Sequence, residues 1–143
     1  MMAKQISVFL ENKSGRLANV TRSLGDAGIN IRALCIADTS DFGILRLIVN
    51  DPVKAHKILK EAGFTVSETE VIAVKMPDAP GGLASVLDQI SDENLNIEYL
   101  YAFLGTTGND ALVIFKVEDI KKAKIAFNKK GIKYLEEQEL YQI

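Results

Sequence analysis

Cysteine and histidine are almost missing from this chain, which carries one of each, Cys35 and His56. A lone cysteine excludes an intrachain disulfide, and this composition excludes metal centres built from paired cysteines or histidines. The single thiol is expected to be buried, in a cytoplasmic protein. Arg32 is its only cation nearby in sequence, so nothing marks Cys35 as reactive. His56 stands between Ala55 and Lys57 with no evident carboxylate or nucleophile partner, and reads as a surface or boundary residue. An excess of one charge is lacking too. The formal net charge of −2 gives no global attraction to nucleic acid or acidic lipid. No apolar run approaches the roughly 18 residues of a membrane helix, and Met1-Met2-Ala3-Lys4-Gln5 leads into a strand pattern with no signal-peptide core. The chain has neither a Gly-Lys-Ser/Thr phosphate loop nor a G-x-G-x-x-G run. Gly105-Thr106-Thr107-Gly108-Asn109-Asp110 is glycine-rich, but it links two strands without a basic partner and reads as a hairpin loop. No paired acid and base and no activated nucleophile is evident, so no catalytic residue, cofactor or metal is expected.

What the chain does contain is itself, twice. Ile6-Ser7-Val8-Phe9-Leu10 is echoed by Ile72-Ala73-Val74-Lys75-Met76. Asn12-Lys13-Ser14-Gly15-Arg16-Leu17 is echoed by Asp78-Ala79-Pro80-Gly81-Gly82-Leu83. The register holds through Val20/Val86, Asp26/Asp92, Asn30-Ile31/Asn96-Ile97 and Leu34/Leu100. After a short insertion it resumes at Asp51/Asp119, Lys54-Ala55/Lys122-Ala123 and Gly63/Gly131. Such a repeat means a duplicated module, so two domains are expected, at 1–68 and 69–143. With 48% apolar and 25% charged residues the composition is that of an ordinary globular protein. Modules of about 65 residues are marginal alone, so each should share an interface with the other or with a second chain.

Each repeat reads as strand, helix, strand, strand, helix, strand. In the first, strands are expected at 6–10, 30–37, 44–49 and 64–67, with a helix at 15–27. Leu17, Val20, Leu24 and Ala27 give that helix its apolar spacing, and Gly28 suits a left-handed exit. Asp38-Thr39-Ser40-Asp41 reads as a turn. A second helix starts with Asp51 as cap and Pro52 in its first position, turns Ala55, Ile58, Leu59 and Ala62 inward, and ends at Gly63. The second repeat places strands at 71–76, 95–104, 110–117 and 132–139, and helices at 81–93 and 119–130. The order βαββαβ is the ferredoxin-like plan, an α+β fold with an antiparallel sheet and both helices on one face. The join between repeats has no glycine or proline, which argues against a floppy tether. Residues 44–49 and 111–115 are apolar on both faces, and Tyr99, Tyr101 and Phe103 line one side of their strand. A sheet with one wet face should alternate. The helix-free face is therefore expected to be covered, by sheet-to-sheet packing within the chain or across a homodimer.

The duplicated strand-to-helix corner has a plausible chemistry. Glycine lets the backbone approach a partner closely, and the bare N–H groups of the first helical turn favour an anion. Asn12 or Asp78 ahead of the turn can cap the helix or accept from an ammonium group. A carboxylate on the helix entry and an ammonium beside it would make a zwitterion clamp. The plainer alternative is that Asn12, Ser14 and Asp78 are only caps. Asn30 and Asn96 could present amides to a ligand or serve merely as turn residues, with Ile31 and Ile97 in the core. Arg16 could bind a carboxylate or stand in solvent.

The D-x-P-G-x-L turn, the strand entries Gly28-Ile29-Asn30-Ile31 and Asn94-Leu95-Asn96-Ile97, and the βαββαβ order resemble the ACT domain. The likeness covers nearly the whole chain as a tandem pair. Asp78-Ala79-Pro80-Gly81-Gly82-Leu83 matches the family turn best; the first repeat puts Asn12 for Asp and Ser14 for Pro, and Asn94 stands where Gly28 does. The resemblance implies a non-catalytic regulatory module that binds an amino acid where two such domains meet and modulates a partner enzyme of amino-acid metabolism, for example acetolactate synthase, whose regulatory subunits carry ACT domains. It implies ligand contacts from Asn12, Ser14, Gly15, Arg16 and Leu17, from Asp78, Ala79, Pro80, Gly81, Gly82 and Leu83, and from Asn30, Ile31, Asn96 and Ile97. A homodimer is expected, and no nucleic acid or membrane partner. Any enzyme or DNA-binding part is expected on another polypeptide.

Two other readings compete. An RNA-binding βαββαβ module would stack bases on Tyr99, Tyr101 and Phe103 and use Lys121, Lys122, Lys124, Lys129, Lys130 and Lys133 for charge. The first repeat has Ala33, Cys35 and Ala37 at the aromatic positions, and the lysines are interspersed with acids. A small enzyme on the same fold would need the catalytic pair that is missing.

Overall fold

The computed structural model describes residues 3–38, 41–103 and 108–142. Thr39, Ser40 and residues 104–107 fall outside them, so the turn and hairpin expected there are described only at their edges. The elements run β1 (Ala3–Glu11), α1 (Arg16–Asp26), β2 (Ile31–Asp38), β3 (Phe42–Val49), α2 (Pro52–Glu61) and β4 (Thr65–Pro77). They continue α3 (Gly82–Ile90), β5 (Ile97–Ala102), β6 (Asp110–Val117), α4 (Ile120–Lys130), β7 (Tyr134–Leu135) and α5 (Glu137–Tyr141). The fold is α+β, built from two ferredoxin-like modules with antiparallel sheets.

The chain divides into two compact units, one of residues 4–69 with the last few residues, the other of residues 70–140 with the first few. The expected fourth strand of the first repeat and first strand of the second are one uninterrupted strand, β4. Neither glycine nor proline stands between them to end it.

In the first unit β3 pairs antiparallel with β1 on one side and β2 on the other. Alternate residues Ile6, Val8 and Leu10 of β1 and Leu45, Leu47 and Val49 of β3 meet Val20 and Leu24 of α1 and Ala55 and Leu59 of α2 in one core. The second unit repeats this plan. β6 pairs with β4 and β5, and β4 also pairs with β7. Ile72, Val74 and Met76 join Val113, Phe115 and Val117 against Val86 and Ile90 of α3 and Ala123 and Phe127 of α4. The Phe115 and Phe127 rings meet edge to face at 6.3 Å.

Local signals account for most boundaries. Asp51 and Asp119 cap α2 and α4 by accepting from the N–H groups of Lys54 and Lys122 at 3.1 Å. Pro52 opens α2. Gly28 and its repeat equivalent Asn94 both take the left-handed conformation, with φ of 74° and 54°. Asparagine is among the few non-glycine residues to do so readily.

Several expectations are corrected. The strand expected at 132–139 shrinks to Tyr134 and Leu135 and gives way to α5. The Glu136 N–H donates to Glu139 Oε1 at 3.2 Å, a reach-back across the first turn that favours a helix. Leu17 and Ala62, assigned to inner helix faces, are exposed. Leu17 is the second residue of α1 and Ala62 is the C-cap of α2, so both stand at the end of their helix. Cys35 is half-buried where burial was expected; it lies opposite Arg46 on β3. His56 has a carboxylate partner after all, with Nδ1 at 3.1 Å from Glu68 Oε1. On the helix-free face Ala33 and Ile48 are buried, as are Ala73 and Ile114, but Phe9, Phe42 and Ile44 stay exposed.

Candidate functional site

The two glycine corners form as the sequence suggests. Gly15 has φ 89° and Gly81 has φ 83°, each left-handed and each at the entry to the first helix of its repeat. Neither helix has a side-chain cap, whereas α2 and α4 are both capped by aspartate. The N-cap residues are the glycines themselves, and neither Ser14 nor Asp78 caps the helix it precedes. At the first corner the Asn12 N–H donates to the Asp41 carbonyl at 2.8 Å, which ties the loop to the start of β3. The second corner copies this with the Asp78 N–H and the Asn109 carbonyl at 3.0 Å.

The corners differ in crowding. A Cβ on Gly15 or Gly81 would meet nothing within 4 Å, so the space beside both is open. A Cβ on Gly82 would lie 2.2 Å from the Pro77 carbonyl oxygen. Arg16 occupies the equivalent place in the first repeat. Leu17 and Leu83, one step further on, are both exposed, at 41% and 37%. An uncovered leucine at the same place in both repeats is not explained by core packing.

Charge gathers at the first corner. Glu11 lies 2.9 Å from Lys13 Nζ and 3.4 Å from Arg16 Nη2. The hydrogen bond from Lys13, then the charges of Lys13 and Arg16, hold the Glu11 carboxyl below its ordinary value. At the second corner, residues 77–83 carry no cation.

Asn30, Ile31, Asn96 and Ile97 lie elsewhere. β3 meets Glu11 at its Phe42 end and Ile31 at its Val49 end. The corner and the strand entry of one unit are thus separated by roughly 20 Å of strand. A unit does not bring its own two candidate segments together. Asn30 and Asn50 exchange hydrogen bonds at 3.0 and 3.2 Å. Asn96 Nδ2 donates to Glu118 Oε2 at 3.3 Å, on the wall of an open hollow of about 830 Å³ at the start of α4. Ile31 and Ile97 pack against the two cores.

One feature escaped the sequence reading. The first corner borders a cavity of about 420 Å³ lined by Phe9, Glu11, Arg16, Phe42, Gly63 and Phe64, among others. The second unit has a counterpart of about 270 Å³ at the equivalent positions, walled by Lys75, Asp110, Gly131 and Ile132. The signal was available in the repeat alignment, where Phe9 faces Lys75, a change from apolar to charged on an otherwise matched strand.

The features that an RNA-binding surface needs are spent on the fold. Tyr101 is 7% exposed, which leaves no face for a base. Lys129 and Lys130 pair with Glu93 and Asp92 at 3.2 and 3.1 Å. No group of three or more His, Cys, Asp or Glu side chains that could hold a metal occurs among the described residues, and no helix among them is long and apolar enough to cross a membrane.

A family model described as an ACT domain pair matches residues 1–143. The crystal structure of protein BT0572 from Bacteroides thetaiotaomicron superposes with a TM-score of 0.93 at 45% identity, over 100% of this chain and 98% of that one. The ligand-free regulatory subunit of aspartate kinase from Thermus thermophilus gives 0.65 at 17% identity, over 90% and 93%. The corresponding subunit from Thermus flavus gives 0.61 at 16%, over 92% and 94%. The last two likenesses are of fold. No curated protein matches the chain in sequence.

Proposed function

The chain belongs to the ACT domain family, and on that premise we propose that it is a non-catalytic regulatory protein that binds an amino acid and modulates a partner enzyme of amino-acid metabolism. The observation that carries this reading is the pairing of left-handed glycine corners with uncapped helix entries, present in both repeats and absent from α2 and α4. A helix entry without a side-chain cap keeps donors for a carboxylate. The proposed contacts are Asn12, Ser14, Gly15, Arg16 and Leu17 at one corner and Asp78, Ala79, Pro80, Gly81, Gly82 and Leu83 at the other. In this reading Asn30, Ile31, Asn96 and Ile97, which lie far from the corner of their own unit, complete the set from a second copy of the chain. The reading takes the protein to be a homodimer. Ligand would shift it between two arrangements, and a partner would read the difference.

A thermal-shift screen of the twenty amino acids tests this. A true ligand at a hundredfold excess over its dissociation constant adds about 2.7 kcal/mol to stability. Asn30→Leu leaves the fold intact, since its backbone bonds to Asn50 do not need the side chain. It should erase the ligand's shift, as should Gly81→Val, which strains the corner. If no amino acid moves the transition of the wild type, the sensor reading fails. If ligand acts equally on both variants, the site is elsewhere.

A further inference from the structure

The first unit's corner cavity and its second-unit counterpart are the same cavity with different walls. Gly63 matches Gly131, Phe64 matches Ile132, and Leu10 matches Met76 in the repeat register. Phe42 opposes Glu11 across the sheet, as Asp110 opposes Pro77. At the two exposed places the chemistry is inverted. In the first unit Phe9 and Phe42 stack with ring centroids 4.9 Å apart. In the second, Lys75 and Asp110 form an ion pair at 3.5 Å.

Phe9 and Phe42 are 49% and 42% exposed, and the second unit shows that the fold accepts a charged pair in their place. A stacked pair beside a cavity is a ready platform for an apolar or aromatic body. The cavity volume of about 420 Å³ lies in the range of small-ligand sites. Charge supplies the rest of the selection. Among the described residues Lys13 and Arg16 share the carboxylate of Glu11, so these three side chains together carry a positive charge beside the cavity. Arg16 also lines the cavity. A guanidinium is the side chain best shaped to take a carboxylate in two parallel hydrogen bonds.

We propose that this cavity binds a small carboxylic acid with an aromatic or bulky aliphatic body, the carboxylate on Arg16 and the body on Phe9 and Phe42, and that the second unit's counterpart does not. This rests on the amino-acid-binding reading and narrows it to an apolar side chain and to one of the two repeats. The body sets the affinity and the carboxylate fixes the orientation; the amine is dispensable.

The test is calorimetric titration of the full chain with L-phenylalanine, 3-phenylpropionate, propionate and phenethylamine. The first two should bind once per chain. Propionate, which lacks the ring, and phenethylamine, which lacks the carboxylate, should bind at least about tenfold more weakly. Phe9→Lys combined with Phe42→Asp installs the second unit's ion pair and should abolish binding of 3-phenylpropionate while the protein stays folded by circular dichroism. Arg16→Gln should weaken the acids and leave phenethylamine unchanged. The outcomes separate the two readings. If the aromatic acids do not bind, while some amino acid raises the melting temperature of the wild type and the double variant alike, this inference is overturned and the sensor reading stands. If no amino acid acts but 3-phenylpropionate binds and the double variant loses it, the cavity assignment stands and the sensor reading falls. If the double variant turns a dimer into a monomer and none of the acids binds wild type, the aromatic pair is a contact between chains and the inference is overturned.

Discussion

Replacing Gly82 by alanine should destabilise the second unit far more than the same change at Gly15 or Gly81. The added Cβ would sit 2.2 Å from the Pro77 carbonyl oxygen and 3.3 Å from its carbon. Carbon and oxygen ordinarily approach to about 3.3 Å, so roughly 1 Å of movement is required. Both sides of the clash are backbone, and both are pinned. Pro77 faces Asp110 on β6, and the next residue, Asp78, donates to the Asn109 carbonyl at 3.0 Å. On the other side the Gly82 N–H donates to the Ala79 carbonyl at 3.0 Å. Overpacking costs about 1–3 kcal/mol, and a clash between fixed backbones belongs at the upper end. At Gly15 and Gly81 there is open space, so only the left-handed conformation matters, at about 1 kcal/mol. In a unit of this size 1 kcal/mol moves the melting temperature by about 4–8 °C. Gly82→Ala should therefore lower the second unit's transition by about 10 °C or more, and Gly15→Ala the first unit's by about 5 °C. Calorimetry measures the shift, and hydrogen exchange of the β4 and β6 amides assigns it to the unit. A Gly82→Ala protein that melts no lower than Gly15→Ala would refute the steric account of this corner.

Three other outcomes follow from the packing. Phe127→Ala should cost about 3–5 kcal/mol, because the ring is fully buried and touches both Phe115 and Tyr134; a loss below 2 kcal/mol in urea unfolding counts against that core. Asp51→Ala and Asp119→Ala should each cost about 1 kcal/mol of cap energy, while Asp78→Ala, which removes no cap, should cost little by the same assay. The Glu11 carboxyl is held below its ordinary value of 4.5, so the stability it lends is complete above that pH and is lost as pH falls through the depressed value. In a carboxyl-carbon NMR titration Lys13→Ala should move the Glu11 midpoint upward, and more than Arg16→Gln does; an unmoved midpoint removes Lys13 as the cause.

Period and punctuation carried most of the fold into the sequence. The two strand–helix entries were readable because a glycine stands between the strand pattern and the apolar helical spacing in both repeats, although their left-handed conformation was not foreseen. The aspartate caps were readable because Asp51-Pro52 and Asp119 each stand one step ahead of an apolar helical pattern. The merging of two strands into β4 was legible only as an absence, the lack of a breaker between them. Residues 132–139 misled because Ile132 and Tyr134 flank Lys133 in the repeat position of the first copy's last strand, while the reach of Glu139 back to the Glu136 amide is a local bond that periodicity does not register. His56 and Glu68 meet through the return of the chain after α2, a tertiary event with no sequence spacing of its own. The cavity beside the first corner was missed for the same reason. Its walls come from β1, the start of α1, β3 and the end of α2, so no single window of the sequence holds them together, and only the Phe9/Lys75 mismatch between repeats hints at it.

The duplication also separates what the fold needs from what it merely permits. Core positions stayed apolar in both repeats, as Ile6/Ile72, Val8/Val74 and Val20/Val86 show. The left-handed corner stayed glycine in both. The walls of the corner cavity did not stay. A position that holds Phe in one repeat and Lys in the other, on the same strand register, is one where packing imposes no choice. The second unit keeps the same strand register with an exposed ion pair in their place, so folding does not require the two rings. A guest against their exposed faces would give the rings a use beyond folding. Because the backbone around the two cavities is equivalent, exchanging side chains between them changes the chemistry without changing the frame. A loss of binding on that exchange would then be due to the side chains themselves.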